Sequence, residues 1–71
     1  MNPISKKKLL HSKWTAVVPK NKEKHFTVIE VEFDEHESVI SCSIEAVMSK
    51  RCCLIEWQAL KDATQWLQGW K

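Results

Sequence analysis

Apolar and polar residues alternate along most of this chain, and the alternation gives way to a longer period only after Trp57. Successive side chains of an extended segment point to opposite faces, so Trp14, Ala16 and Val18 share one side of a first strand that begins near Lys13 and ends at Pro19. Residues 19–24 are polar and turn-rich. They lead into residues 25–33, where Ile29, Val31 and Phe33 oppose Glu30 and Glu32, predicting a second strand with one wet face. Residues 34–37, Asp-Glu-His-Glu, hold no apolar side chain and read as a hairpin tip, although no Asn-Gly or Asp-Gly pair fixes the turn. From Val39 to Ser49 the pattern is cleanest, with Ile40, Cys42, Ile44, Ala46 and Met48 on one face and Ser41, Ser43, Glu45 and Ser49 on the other. Lys50 and Arg51 turn the chain again. Residues 52–57 are largely apolar and read as a central strand buried on both faces.

Beyond Trp57 the apolar positions Ala59, Ala63, Trp66 and Trp70 recur at steps of four, three and four, with Leu60 and Leu67 beside them and Gly69 as a stop. That spacing predicts a short C-terminal helix, which Asp62, as the N-cap of a second turn, would divide into a helix and a 3₁₀ piece. Either version makes Trp57, Leu60, Trp66 and Trp70 structural core. The predicted fold is α+β but mostly β: a small antiparallel sheet of three or four strands, curved toward an SH3-like or open barrel and capped by that helix. Residues 1–8, with a triple lysine and Ile4 as the one core candidate, read as a flexible basic arm, and residues 9–71 as a single globular domain.

Composition narrows the function. A chain of 71 residues and 8.3 kDa supports one core. Its 44% apolar and 28% charged residues are those of a folding sequence rather than a disordered one. Stability at this size is roughly 4 to 10 kcal/mol, and a core of this volume leaves little room for a deep catalytic cleft. A non-enzymatic module is therefore expected. The longest apolar run, Cys52 to Ile55, falls short of the ~7 residues of a signal-peptide core and the ~20 that span a bilayer. Three cysteines, two of them vicinal, make a poor disulfide framework and suit a reducing cytoplasm, where they read as small buried hydrophobes. Without a C-x-x-C pair, zinc would have to gather dispersed residues such as His25, Cys42 and Cys52, so no metal site is expected. The single glycine excludes Walker and dinucleotide-binding loops, and no G-x-S-x-G elbow or partnered histidine is present, so no cofactor or catalytic residue is expected either.

Charge is strongly segregated. Residues 1–24 carry seven lysines and one glutamate, residues 25–49 carry six acids with no lysine or arginine, and residues 50–71 carry four bases and two acids. Such a distribution predicts a basic amino-terminal face. Lys13, Lys20, Lys22, Lys24 and Arg51 would position a phosphate backbone, while His25, or Trp14 where its place beside Lys13 leaves it partly exposed rather than in the core, would contact a base. The leading functional expectation is thus a module binding RNA or single-stranded DNA. Its rival is a protein-interaction adaptor that docks a partner through exposed tryptophan and apolar surface, or through a free strand edge.

One further pattern runs through the whole chain. Ser12-Lys13-Trp14-Thr15-Ala16, Pro19, Glu23-Lys24-His25-Phe26, Glu45-Ala46-Val47, Trp57, Leu60-Lys61-Asp62, Trp66 and Gly69-Trp70 together resemble the small bacterial Trp-rich proteins of unknown function, a family of about this length defined by spaced tryptophans. The match covers Leu9 to Trp70. It implies a shared fold but carries no catalytic or ligand-binding residue with it. Gln68 stands where the pattern has a proline before Gly69, and His36-Glu37 where it has a glycine in the hairpin tip.

Overall fold

The computed structural model describes every residue except Met1, Pro3 and Asn21. Five antiparallel strands form one sheet: β1 (Lys13–Lys20), β2 (Glu23–Phe33), β3 (Val39–Ala46), β4 (Cys52–Leu54) and β5 (Trp66–Gln68). Their order is β4-β3-β2-β1-β5, so the first four make the expected meander and the last returns to the free side of β1. The sheet does not close into a barrel; β4 and β5 are its two edges.

The predicted C-terminal helix is absent. In its place a 3₁₀ turn, Trp57–Lys61, is followed by a tight turn and then β5. The reason lies at Asp62, which takes an extended conformation (φ −81°, ψ 104°) that ends the helical winding. Its carboxylate accepts from the Thr64 amide at 2.9 Å and the Thr64 hydroxyl at 2.6 Å, while its carbonyl accepts from the amides of Gln65 and Trp66. Asp side chains compete for backbone donors in this way, and a helix of so few residues has little cooperative stability to resist. Pairing of Trp66 with Ala16, Leu67 with Thr15 and Gln68 with Trp14 then satisfies the outer edge of β1.

The core is a cluster of Leu9, Trp14, Val28, Cys42, Ile44 and Leu60, with Ile4, Phe26, Val31, Val39, Ile55, Trp57 and Trp66 packed around it. Trp57, Leu60 and Trp66 thus join the core, whereas Trp70 lies on the surface, 45% exposed. Two predicted faces change because strands slip register. Between Val28 and Glu30 the pairing with β3 skips Ile29, which puts Val28 and Val31 on the inner face and turns Ile29 outward. β3 stops at Ala46 because the Lys50 amide bonds back to the Ala46 carbonyl at 2.8 Å, leaving Met48 exposed in the turn. Residues 52–54 are an exposed edge rather than a buried central strand, so of the three cysteines only Cys42 is a buried hydrophobe.

Turns that would suit glycine are made with other residues. At the β2–β3 tip Asp34 Oδ1 accepts from the amides of His36 and Ser38 at 2.8 and 2.9 Å, and Glu37 takes the left-handed position (φ 62°). Of the expected basic arm, Met1 and Pro3 lie outside the described residues. Asn2 is tied to the 3₁₀ turn by its amide to Lys61 O and by its side chain to Leu60 O at 2.9 Å and Trp66 O at 2.6 Å. Lys6–Lys8 form a short 3₁₀ turn with all three side chains exposed.

Candidate functional site

The residues expected to form one basic surface are distributed over both faces of the sheet. Trp14 is fully buried, so its ring cannot serve as the stacking platform expected of it. Its indole N–H donates to Ser12 Oγ at 2.8 Å, and that hydroxyl donates in turn to Leu9 O at 2.6 Å. A tryptophan can be sealed in a core only if its N–H finds a partner, and Ser12 supplies it locally.

On the outer face lie Lys13 and Thr15, opposite Thr27 and His25 of β2. Gly69, with φ +79°, lets the chain leave β5 and cross this face. Thr15 is buried beneath that crossing: its hydroxyl donates to Gly69 O at 2.7 Å and accepts from the Lys71 amide at 2.9 Å. Trp70 is thereby laid over β1 and β2, its N–H donating to Phe26 O at 3.1 Å. The Lys13 ammonium sits 4.8 Å from the Trp70 ring centroid and the His25 ring 6.0 Å from it, a partly exposed cation–aromatic cluster. The aromatic neighbour of Lys13 and His25 is therefore Trp70. The sequence pattern alone puts Trp70 in the core because its step from Trp66 fits a helix as well as a chain reversal at Gly69.

The inner face holds the more enclosed feature, a groove of about 450 Å³. Its apolar wall is made by Ala16 and Val18 of β1, Phe26 of β2, Ile44 of β3, Cys53 and Ile55 at the β4 end, and Trp66 of β5. Phe26 and Trp66 meet edge to face at 5.3 Å, which fixes the rings that form the wall. Val18 stands at 72% exposure, leaving the wall's apolar surface open to solvent there.

One end of the groove is polar, lined by Lys20, Glu23 and Arg51. Glu23 is only 6% exposed, yet it is charged and fully engaged. It accepts from Ser49 Oγ and forms an ion pair with the Arg51 guanidinium. The Ser49 hydrogen bond, and after it the bond and charge of Arg51, outweigh the loss of hydration and hold the Glu23 carboxyl below the usual glutamate range. Glu23 is the one acid in the basic first third, a position that marked it in the sequence as an exception without showing what it paired with. Of the expected basic residues, Lys20 and Arg51 thus line the groove, Lys13 and His25 lie on the opposite face, and Lys22 and Lys24 are exposed at the β1–β2 hairpin.

Among the described residues no group of three or more His, Cys, Asp or Glu side chains is arranged to hold a metal ion. No helix among them is long and apolar enough to cross a membrane. The chain matches no curated protein and no solved structure. The family model described as Tryptophan-rich protein (DUF2389) matches residues 12–71, which include all the strands and all four tryptophans. On that match the chain belongs to this tryptophan-rich family of unknown function.

Proposed function

We propose that the protein is a non-enzymatic interaction module whose inner groove receives a segment of a partner protein. The observation that carries this reading is the groove itself: an apolar wall that includes the solvent-open Val18 side chain surrounds a preformed hollow of about 450 Å³. That volume falls in the ~300 to 1,000 Å³ range of ligand-binding clefts. Charge supplies the chemistry of the occupant. The polar end presents two cations, Lys20 and Arg51, against one carboxylate, and that carboxylate is already engaged by Ser49 and Arg51. A segment placing one bulky apolar side chain in the hollow and an acidic one beside Lys20 complements both features.

The test is selection from a displayed library of random short peptides, followed by titration of the best binder. Apolar-acidic sequences are expected to enrich, and Val18→Asp, a change at an exposed position, is expected to weaken the selected peptide at least tenfold without altering the fold. No enrichment, or a peptide indifferent to Val18→Asp, refutes the reading.

The outer-face cluster favours a second reading, as a binder of RNA or single-stranded DNA, since Trp70 is exposed beside Lys13 and His25. On that reading a mixed oligonucleotide pool binds with an affinity that falls steeply with salt, and Trp70→Ala and Lys13→Glu abolish it. The groove reading predicts that neither substitution affects the selected peptide.

A further inference from the structure

We infer that two copies of this chain pair antiparallel along β4, about a two-fold axis through Cys53. Backbone direction along β4 sets the argument. The Ala46 amide donates to Arg51 O and the Ile55 amide to Cys42 O, both at 2.9 Å, and Cys53 pairs with Ile44. In an antiparallel strand the N–H and C=O of one residue point the same way and alternate from residue to residue. Arg51, Cys53 and Ile55 therefore face β3, and the backbone groups of Cys52 and Leu54 face outward. β4 is the last strand of the sheet, and no described strand takes up those groups.

Only one symmetric register satisfies all of them. With Cys53 opposite Cys53 of the second copy, Cys52 lies opposite Leu54, and each outward N–H meets an outward C=O. Centring the axis on Cys52 would set Leu54 against Lys50, whose amide is already given to Ala46 O. Centring it on Leu54 would set Cys52 against Glu56, whose carbonyl already accepts from the Ala59 amide. The Cys53 register also brings Lys50 of each copy level with Glu56 of the other. Both residues are exposed, and among the described residues neither belongs to an ion pair. Opposite charges at matching levels favour this pairing, whereas like charges would have blocked it. The apolar, uncharged strand Cys-Cys-Leu, with Leu54 76% exposed, lacks the lysine or proline that commonly protects an edge. Residues paired across the strands project to one side of the sheet, so the two grooves would open on the same side of a continuous sheet.

The register supplies its own reporter. Cys53 would form a pair without direct backbone hydrogen bonds, whose Cα atoms stand about 4.5 Å apart. That distance lies within the ~4.4 to 6.8 Å spanned by a disulfide. Diamide removes two protons and two electrons from two Cys53 thiols, forming one S–S bond and reducing its own N=N bond to a hydrazine. Cys52 is opposite Leu54 in this register and has no thiol to meet.

Sedimentation equilibrium of the reduced 71-residue chain up to about 0.5 mM, where pairing with a Kd of ~100 μM is well populated, measures association directly. The average mass is expected to rise above 8.3 kDa with concentration. Glu56→Lys is expected to weaken pairing at least fivefold, and adding Lys50→Glu to restore it. After diamide, the parent chain and Cys52→Ser are expected to give covalent dimer, and Cys53→Ser none. A mass that stays monomeric, a Glu56→Lys chain that associates undiminished, or cross-linking that survives Cys53→Ser would each overturn the inference.

Discussion

Removing the Ser12 hydroxyl should cost far more than an exposed serine is worth, because that hydroxyl is the acceptor for the buried Trp14 indole. In Ser12→Ala the Trp14 N–H, now 2.8 Å from an oxygen, loses its partner inside the core. Leu9 O also loses the hydroxyl but keeps its bond from the Ser12 amide at 3.1 Å, so one orphaned donor dominates the cost. A buried unsatisfied N–H costs about 1 to 3 kcal/mol. For a domain of this size each kcal/mol lowers the melting temperature by roughly 4 to 8 °C, so a fall of about 5 to 20 °C is expected. Urea unfolding followed by far-ultraviolet circular dichroism provides the assay, and a double-mutant cycle isolates the bond. Trp14→Phe removes the donor; in that background Ser12→Ala should cost at least about 1 kcal/mol less than in the parent chain. Equal costs in the two backgrounds would show that the hydroxyl does not satisfy the indole, and the explanation of how Trp14 is buried would fail.

Gly69→Ala should destabilise by about 1 to 2 kcal/mol through backbone conformation alone, since φ is +79° and an added Cβ meets nothing within 4 Å; thermal melts of the variant check this. Glu37→Gly should stabilise by up to about 1 kcal/mol, because Glu37 holds a left-handed conformation (φ 62°) that costs glycine nothing; urea midpoints measure it. Acid should weaken the fold through Glu23. Its carboxyl is held below the ordinary range in the folded state, so the stability it contributes is complete above the unfolded-state value and is lost as pH falls through the lower, folded one. Glu23→Gln should accordingly flatten the loss of urea stability between about pH 5 and pH 3, and an unchanged acid profile would exclude Glu23 as a contributor.

The strands of the meander were legible in the sequence because alternation is a local signal, and β3 shows it with Cys42, Ile44 and Ala46 all buried on one face. Alternation carries no information about bulges. Alternation alone points Ile29 inward with Val31, but a slip in pairing with β3 substitutes Val28, and only the partner strand determines where that slip falls. The C-terminal segment departs from its local pattern for a related reason. Ala59, Ala63, Trp66 and Trp70 fit a helical period, yet Asp62 redirects the chain and β1 offers an unpaired edge that a strand can complete. Long-range contacts overrode a short local period. The candidate site was the least legible part. A lysine-rich first third suggested one basic surface, but strand alternation and the ion pair of Arg51 with Glu23 divide those cations between the two faces and the hairpin. Tryptophan identity likewise did not reveal environment: Trp14 opens a strand among lysines and is buried, whereas Trp70 ends an apolar series and is exposed.

The four indoles report on the two faces separately, with Trp66 in the groove wall, Trp70 on the outer face, and Trp14 and Trp57 in or against the core. A ¹⁵N spectrum of the indole N–H signals, recorded while the selected peptide is added, therefore tests the proposed binding face in one titration. The account predicts that the Trp66 signal moves with the peptide while that of Trp70 stays in place. Movement of Trp70 with Trp66 unchanged would place binding on the opposite face and contradict it.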